Sequence, residues 1–354
     1  MYNIQKIIET KITFTLKIII NNLKPIIMKN LFLIGMAAAS MMLASCSSDE
    51  NVEMANNKNA IEFKTFVNNS TRATDLTTNS LMKFKLWGRM EKEDGTNKGG
   101  KPFDGTDFNR TGTGTSTDWN YTGTVYWEKD YKYSFQALAP HDAYTFNAPD
   151  NYGEWGSLTF DNKTGVTDLI YAAKIADIYR GGMCPAAVNL NFNHLLSRVR
   201  FQFKNGMDDG SVVTVSNVKI TNAYSKGTAT LGENLADVVW TPSEPTELVF
   251  GNMTGQVDNV TGISDHKYMI PAAATDYNIT FEVTRVHHGV TDRYNHSAKI
   301  SGLVLEKNKS YQLSATLDAR NIDPENPDLC KIEFDVKVND FENFTDKGMT
   351  VPGN

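Results

Sequence analysis

Alternation of apolar and polar residues dominates the chain after residue 57. Every second side chain is apolar in eight segments, which is the period of a β-strand with one buried face. The segments are residues 61–65, 82–86, 188–192, 199–203, 213–220, 279–286, 311–317 and 332–338. No long window repeats apolar residues at the helical period of 3.6. The pattern predicts an all-β fold, and the irregular strand spacing favours sandwiches over a single barrel.

Gly, Pro and small polar residues divide this strand-rich region. Residues 94–118 are rich in Gly, Thr, Asp and Asn, so we expect a long exposed loop there and no regular element. Gly and Pro between residues 181 and 185 indicate a domain boundary before the next strand. The sequence therefore predicts an N-terminal β-sandwich over residues 58–185 and a C-terminal one over residues 186–354.

The amino-terminal region has the pattern of a lipoprotein signal peptide. Lys29 precedes an apolar stretch at residues 31–43, and small residues lead directly to Cys46. A helix of that length spans only about 20 Å, too short for a membrane core of about 30 Å. We expect residues 28–45 to be the signal and the Cys46 thiol to carry the lipid. The alternative is an ordinary secretory signal followed by a chance cysteine.

The segments on either side of this signal carry two further expectations. Residues 46–57 form a polar linker, and its start, residues 47–51, is similar to a short acidic signal for export to the outer surface. A plain linker is the alternative. Residues 1–27 have the Ile, Asn and Lys bias of translated AT-rich DNA, so we expect an over-called start and Met28 as the true one.

Composition excludes several classes of protein. The 354 residues are 40% hydrophobic and 21% charged, so the chain can bury an ordinary core and is not disordered throughout. A net charge of −6 argues against a nucleic-acid partner. Three cysteines are too few for a disulfide scaffold, and their spacing fits no zinc site. Whether Cys184 and Cys330 pair stays open.

The sequence offers no candidate catalytic residue, metal ligand or cofactor site. It lacks the hydrolase, metalloprotease and phosphate-loop motifs. His287 and His288 are neighbours on a predicted strand and point to opposite faces, so they cannot easily join His296 around one metal ion. His194 ends a strand and is interpreted as a hydrogen-bonded structural residue. We therefore expect a protein that is not an enzyme.

Four segments together resemble the fimbrillin family, the subunits of type V pili of Gram-negative anaerobes. Tyr126-Trp127 followed by residues 133–140, YSFQALAP, is similar to a strand pair of the family. Residues 168–172, DLIYA, and residues 190–199, LNFNHLLSRV, are similar to two further motifs. Residues 61–63 and 70–73 resemble the first strand and the protease-sensitive arginine. The motifs keep their order behind the lipoprotein signal, whereas beyond residue 203 only the strand pattern is similar.

The resemblance implies two transthyretin-like (Greek-key) β-sandwich domains in tandem and a function in assembly at the cell surface. Family precursors reach the outer membrane as lipoproteins, here through Cys46, and an arginine-specific protease removes the first strand. Carried over, the cleavage lies between Arg72 and Ala73. Ile61, Phe63 and Phe66 would then plug the groove that a strand from another subunit fills. An exposed loop arginine without a processing role is the alternative for Arg72.

The donated strand and the overall function each have an alternative. Ile332, Phe334, Val336 and Val338 form the best candidate for the donated strand, and a strand that stays in its own domain is the alternative. The leading function is a fimbrial subunit or tip adhesin, with a host or glycan ligand. The alternative function is a monomeric surface glycan-binding lipoprotein, with a stacking platform for sugars built from aromatic side chains. These are Trp119, Tyr121, Tyr152 and Trp155.

Overall fold

β-Strands account for nearly all regular structure in the part of the chain that the computed structural model describes. That part comprises residues 60–67, 75–110, 119–182, 185–253, 262–326 and 330–341, all within one unit, residues 59–354. The predicted lipidation site Cys46 and the predicted cleavage position at Arg72 and Ala73 lie outside the described residues. Within these ranges no helix is long and apolar enough to cross a membrane.

The first ten strands are β1 Phe63–Val67, β2 Lys83–Lys92, β3 Gly100–Arg110, β4 Trp119–Asn120, β5 Tyr131–Ala139, β6 Tyr144–Asn147, β7 Ser157–Asp161, β8 Ile170–Ala176, β9 Val188–His194 and β10 Ser197–Asn205. The second ten are β11 Val212–Ala223, β12 Lys226–Thr230, β13 Val239–Pro242, β14 Thr246–Gly251, β15 Gly262–Ile263, β16 Lys267–Met269, β17 Ala272–His287, β18 Val290–Leu305, β19 Lys309–Leu317 and β20 Asp335–Asp340. A 3-10 turn, Leu235–Asp237, follows β12. The prediction of an all-β fold is confirmed, and the division into two transthyretin-like sandwiches stays a prediction.

The strands form four sheets. The largest has the order β1-β9-β8-β5-β2-β3-β4, and a second has the order β15-β10-β19-β20, with β16 also paired to β10. The other two have the orders β14-β11-β17-β18 and β13-β12-β7-β6. Most neighbours are antiparallel, but β1 pairs with β9 and β10 pairs with β19 in parallel. Parallel pairing brings β1 and β19 into the sheets beside strands that are distant in sequence.

Three groups of buried side chains hold the sheets together. The first core is aromatic and lies on one face of the largest sheet, around Phe63, Phe108 and Phe135. The second core is built from residues between 199 and 332. The third core combines side chains from both sides of the predicted boundary at residue 185, and β7 pairs with β12 across the same boundary. The boundary therefore stays a prediction, because one core and one sheet cross it.

The predicted loop at residues 94–118 is wrong in its central part, where β3 forms an eleven-residue strand. The strand forms because Phe103 and Phe108 both enter the first core. Their five-residue spacing places them on opposite faces of a regular strand. A bulge opposite Leu86 and Trp87 changes the register, and Gly105 beside it has a φ of +73°. Because a bulge exchanges the two faces, the sequence period gave no sign of this strand.

Gly88 on β2 provides a test of packing in the first core. A Cβ atom there would lie 2.9 Å from a ring carbon of Phe103 and 3.3 Å from Phe135, both fixed in the core. We expect Gly88→Ala to lower the free energy of unfolding by about 1–3 kcal/mol through overpacking, measured by urea unfolding. Gly100→Ala is the control, because the atoms nearest to its new Cβ belong to the flexible, half-buried side chain of Met90, which can move aside. Equal losses in both variants would contradict the packing described here.

Candidate functional site

The first strand, β1, lies at the edge of the largest sheet. It pairs in parallel with β9, and Phe63 stands opposite Val188 while Phe66 stands opposite Asn191. Ile61 and Phe63 are buried, as the sequence predicts for plugging residues. Because side chains alternate along a strand, Thr65 takes the third inward position and is only 3% exposed. The assignment of Phe66 as a plug is wrong, since its side chain is 44% exposed on the outer face.

Phe63 fixes β1 to the first core. Its ring meets those of Phe108 and Phe135 at centroid distances of 5.2 Å each and that of Phe103 at 5.7 Å, all edge to face. Edge-to-face pairs add about 0.5–1.5 kcal/mol each to the burial of the ring itself. Phe63 therefore contributes much of the free energy that holds β1 on the first core.

The other edge of β1 has fewer main-chain contacts. The Ile61 N–H donates to the Val125 carbonyl at 2.8 Å, and the Trp119 indole N–H donates to the Thr65 hydroxyl at 3.2 Å. A cavity of about 330 Å³, lined partly by Ile61 and Phe63, separates β1 from residues 119–124. The strand is thus joined to the sheet by one full ladder, along β9. Its removal would leave that ladder unpaired and widen an existing cavity into a groove.

The last described strand, β20, is also an edge strand. It pairs antiparallel with β19, and all six of its residues are exposed, with Val338 at 48%. The four candidate donor residues separate into two groups. Ile332 is buried and Phe334 packs against the second core, both before β20 begins, whereas Val336 and Val338 lie on the exposed strand.

Phe341, directly after β20, is fully buried. Its ring stacks on the His194 imidazole at a centroid distance of 3.8 Å and 14° between the planes. The Arg198 guanidinium lies over the Phe341 ring, 4.6 Å from its centroid. An exposed strand therefore ends in a side chain that is held between an imidazole and a cation.

Arg198 also holds the segment that follows the predicted cleavage position. Its guanidinium forms a fully buried ion pair with Asp75, and Asp75 accepts a hydrogen bond from the Tyr268 hydroxyl. The Arg198 Nε–H donates to the Ser310 hydroxyl on β19 at 3.0 Å. Replacing one member of a buried pair leaves an uncompensated charge, so breaking this pair strongly lowers the free energy of unfolding.

Asp168 at the start of β8 extends the network. Its carboxylate accepts the Leu76 N–H at 2.9 Å and lies 2.9 Å from His194 Nδ1. The prediction that His194 is a hydrogen-bonded structural residue is confirmed. We call the whole group the buried cluster. It consists of Asp75, Asp168, His194, Arg198, Tyr268 and Phe341.

The sequence pattern missed most of the buried cluster. Alternation at residues 199–203 predicts that the polar residues between the apolar ones face water, yet Arg198, Arg200 and Gln202 are all buried. The face that they occupy is also covered, since Arg198 contacts Asp75 and Phe341 while Gln312 is hydrogen-bonded to both Arg200 and Gln202. Phe341 begins a polar tail and gave no strand signal. The one available clue was an aspartate, Asp75, placed shortly after the arginine of the first loop.

The aromatic residues predicted as a sugar platform do not form one surface. Trp119 and Tyr121 pack against the first core beside β1. Trp155 packs against the third core, and the Tyr152 ring lies 5.2 Å from the Lys132 ammonium. Among the described residues, no three His, Cys, Asp or Glu side chains are grouped closely enough to hold a metal ion.

Comparison with known proteins finds a matching family model and solved structures of similar fold. A family model described as fimbrillin-like matches residues 71–340. The crystal structure of a fimbrial protein from Bacteroides vulgatus is 17% identical, has a TM-score of 0.55, and covers 80% of this chain and 99% of its own. This similarity shows a shared fold. No curated protein matches the chain at a significant level.

Two further solved structures are similar at a lower level. A protein from Bacteroides uniformis, provisionally assigned to cell adhesion, is 15% identical with a TM-score of 0.45, over 82% of this chain and 100% of its own. The fimbrial anchor protein Mfa2 from Porphyromonas gingivalis is 10% identical with a TM-score of 0.38, over 79% of this chain and 98% of its own.

The buried ion pair can be tested by its cost when broken. We expect Arg198→Met to lower the free energy of unfolding by about 3–5 kcal/mol, because Asp75 would stay buried without its partner. Adding Asp75→Asn should restore part of this loss. Lys85→Met, which breaks a solvent-exposed pair of 3.8 Å with Asp107, is the control and should cost less than about 1 kcal/mol. A loss in Arg198→Met no larger than in the control, measured by urea unfolding, would contradict the account.

Proposed function

The chain belongs to the fimbrillin-like family, and on that premise we propose that it is a structural subunit of a pilus or an adhesin at its tip. In this proposal the precursor is exported as a lipoprotein anchored through Cys46 to the outer membrane. An arginine-specific protease cuts between Arg72 and Ala73 and releases β1. A strand from a second subunit then fills the place of β1.

The single observation that carries the proposal is the position of β1. It is a short edge strand with a full ladder on one side only, and Ile61, Phe63 and Thr65 fill inward positions behind it. Loss of β1 would expose the N–H and C=O groups of β9 and the aromatic pocket around Phe135. An incoming strand with alternating side chains satisfies both, which is the physical basis of β-strand addition.

β20 and the residues before it are the proposed donor. Val336 and Val338 alternate with polar residues and have no partner strand on the outer side of β20 within the described sheets. Donation to another subunit gives a head-to-tail contact, which propagates into an open filament and not into a closed ring. The partners are therefore other subunits of the same kind, and no nucleic acid is expected.

The buried cluster explains why the remaining chain would keep its fold after the cut. Asp75 lies three residues after Arg72 and is held by Arg198, while Leu76 is held by Asp168. The new amino terminus would thus stay attached while β1 leaves. The same Arg198 contacts Phe341, so withdrawal of β20 has to break a contact with the cluster.

Cleavage and assembly can be tested together on the lipid-free protein. An arginine-specific protease should give a product whose sequence begins at Ala73, and this product should form SDS-resistant ladders as its concentration rises. Arg72→Lys is the matched variant, because it keeps the positive charge and removes the residue that the protease reads. It should stay uncut at this position and monomeric. A product that begins at Ala73 and stays monomeric at every concentration would contradict the proposal and favour the monomeric alternative.

The role of Phe341 can be tested on the uncut monomer by amide hydrogen exchange. Phe341→Ala should speed exchange of residues 335–340 by about 100-fold, because the buried anchor of β20 is lost while the ladder to β19 remains. Val338→Ala removes an exposed side chain of the same strand and should change exchange little. Equal exchange rates in the two variants would contradict this role. Global unfolding of Phe341→Ala at the same or a lower urea concentration than the opening of β20 would also contradict it, because Phe341 would then hold the whole unit and not this strand alone.

A further inference from the structure

A polar cleft lies on the outer face of β8 and β9, away from the buried cluster. Three asparagines alternate outward along β9 at positions 189, 191 and 193, opposite its buried apolar residues. The loop after β12 stands over this face and closes a cleft of about 330 Å³. The polar residues that line it are Tyr171, Lys174, Asn191, Asn193, Glu233 and Asn234.

The loop that covers the cleft is fixed in place. The Tyr171 hydroxyl donates to the Gly232 carbonyl at 3.0 Å and ties the loop to β8. The Asn234 side-chain amide donates to the Asp237 carboxylate at 3.1 Å, and the Asn234 N–H donates to it at 3.2 Å. A preformed cleft binds with a smaller entropy loss than one that has to be assembled around its ligand.

The functional groups in the cleft indicate the class of ligand. The side chains of Asn191 and Glu233 make no hydrogen bond or ion pair in the described ranges, whereas the Asn193 side-chain amide donates to the Asn191 carbonyl at 3.4 Å. Lys174 stands opposite Phe135 in the β5–β8 pairing and so lies on the face of the first core, which leaves the Glu233 carboxylate as the charged group on the cleft side and disfavours an anionic ligand. The amides offer donors and acceptors side by side, which suits neighbouring hydroxyl groups. An apolar ligand would leave these polar groups without partners on burial.

One aromatic side chain stands next to a residue of the cleft lining. Phe66 on β1 stands beside Asn191 on the same outer face, which accounts for its exposure. An aromatic ring beside amide and carboxylate groups can cover the apolar face of a sugar ring while the polar groups bind its hydroxyls.

We propose that this cleft binds a neutral saccharide of one or two sugar rings. The volume is at the lower end of the range for ligand sites in proteins, which suits a terminal mono- or disaccharide unit. The site goes beyond the proposed assembly function, since it supplies an adhesive contact and uses none of the residues of the buried cluster. It is complete in the uncut monomer.

The experiment uses the uncut, lipid-free protein on an array of neutral glycans, followed by calorimetric titration with the strongest binder as a free oligosaccharide. We expect binding that changes little as the salt concentration rises, because the ligand carries no charge. Glu233→Ala and Asn191→Ala should each weaken binding at least about tenfold, the loss of roughly one charged or amide hydrogen bond. Asn189→Ala is the matched control, since it faces outward on the same strand outside the cleft lining.

Two results would overturn the proposal. One is no binding to any neutral glycan on the array by protein whose thermal unfolding is that of the wild type. The other is binding that Glu233→Ala and Asn191→Ala leave unchanged, or that Asn189→Ala weakens equally. Because no cleavage takes place in this experiment, either result leaves the proposed strand exchange untouched, and failure of strand exchange leaves this site untouched.

Discussion

The buried ion pair between Arg198 and Asp75 is the interaction on which the rest of the structure depends. Both side chains are fully buried, and their attraction is strong only while water is excluded. Phe341 lies over the guanidinium and supplies part of that exclusion. The pair therefore joins the segment after the first loop to the end of the last strand. Both of these chain segments pack on Arg198 of β10 in the uncut subunit.

This constraint divides the chain into parts that are fixed and parts that are only edge-bound. β10 packs its apolar side chains into the second core, buries Arg198, Arg200 and Gln202 on its other face and pairs on both sides, so it cannot leave without unfolding the unit. β1 and β20 are edge strands, each with one continuous ladder to a neighbour. Edge strands are the elements that proteins exchange or add, because one row of backbone groups is already unpaired. β1 and β20 thus lie at sheet edges, whereas the buried charges of Arg198 and Asp75 lie in the interior.

The sequence predicted elements well where one face of a strand is buried. β9 is an example, because Val188, Leu190 and Phe192 enter the core and the three asparagines that alternate with them face outward. The prediction failed where a bulge or burial of both faces interrupted the alternation of apolar and polar residues. The bulge at Gly105 hid β3, and burial on both faces hid the polar residues of β10. For the site, Ile61 and Phe63 could be predicted from alternation, whereas Phe341 could not, since its burial depends on residues distant in sequence.

The central claim is that a strand of a second subunit replaces β1 beside β9, and disulfide cross-linking tests it most directly. In a background with Cys184→Ser and Cys330→Ser, Asn191→Cys is combined in turn with a cysteine at each position from 335 to 340. Neighbouring strands bring Cα atoms within the roughly 4.4–6.8 Å that a disulfide requires. The account predicts intermolecular cross-links at one or two of these positions, where the donated side chain lies on the same face of the sheet as residue 191. They should form only after cleavage at Arg72. Cross-links that form equally in the uncut protein, or at no position after the cut, would contradict it.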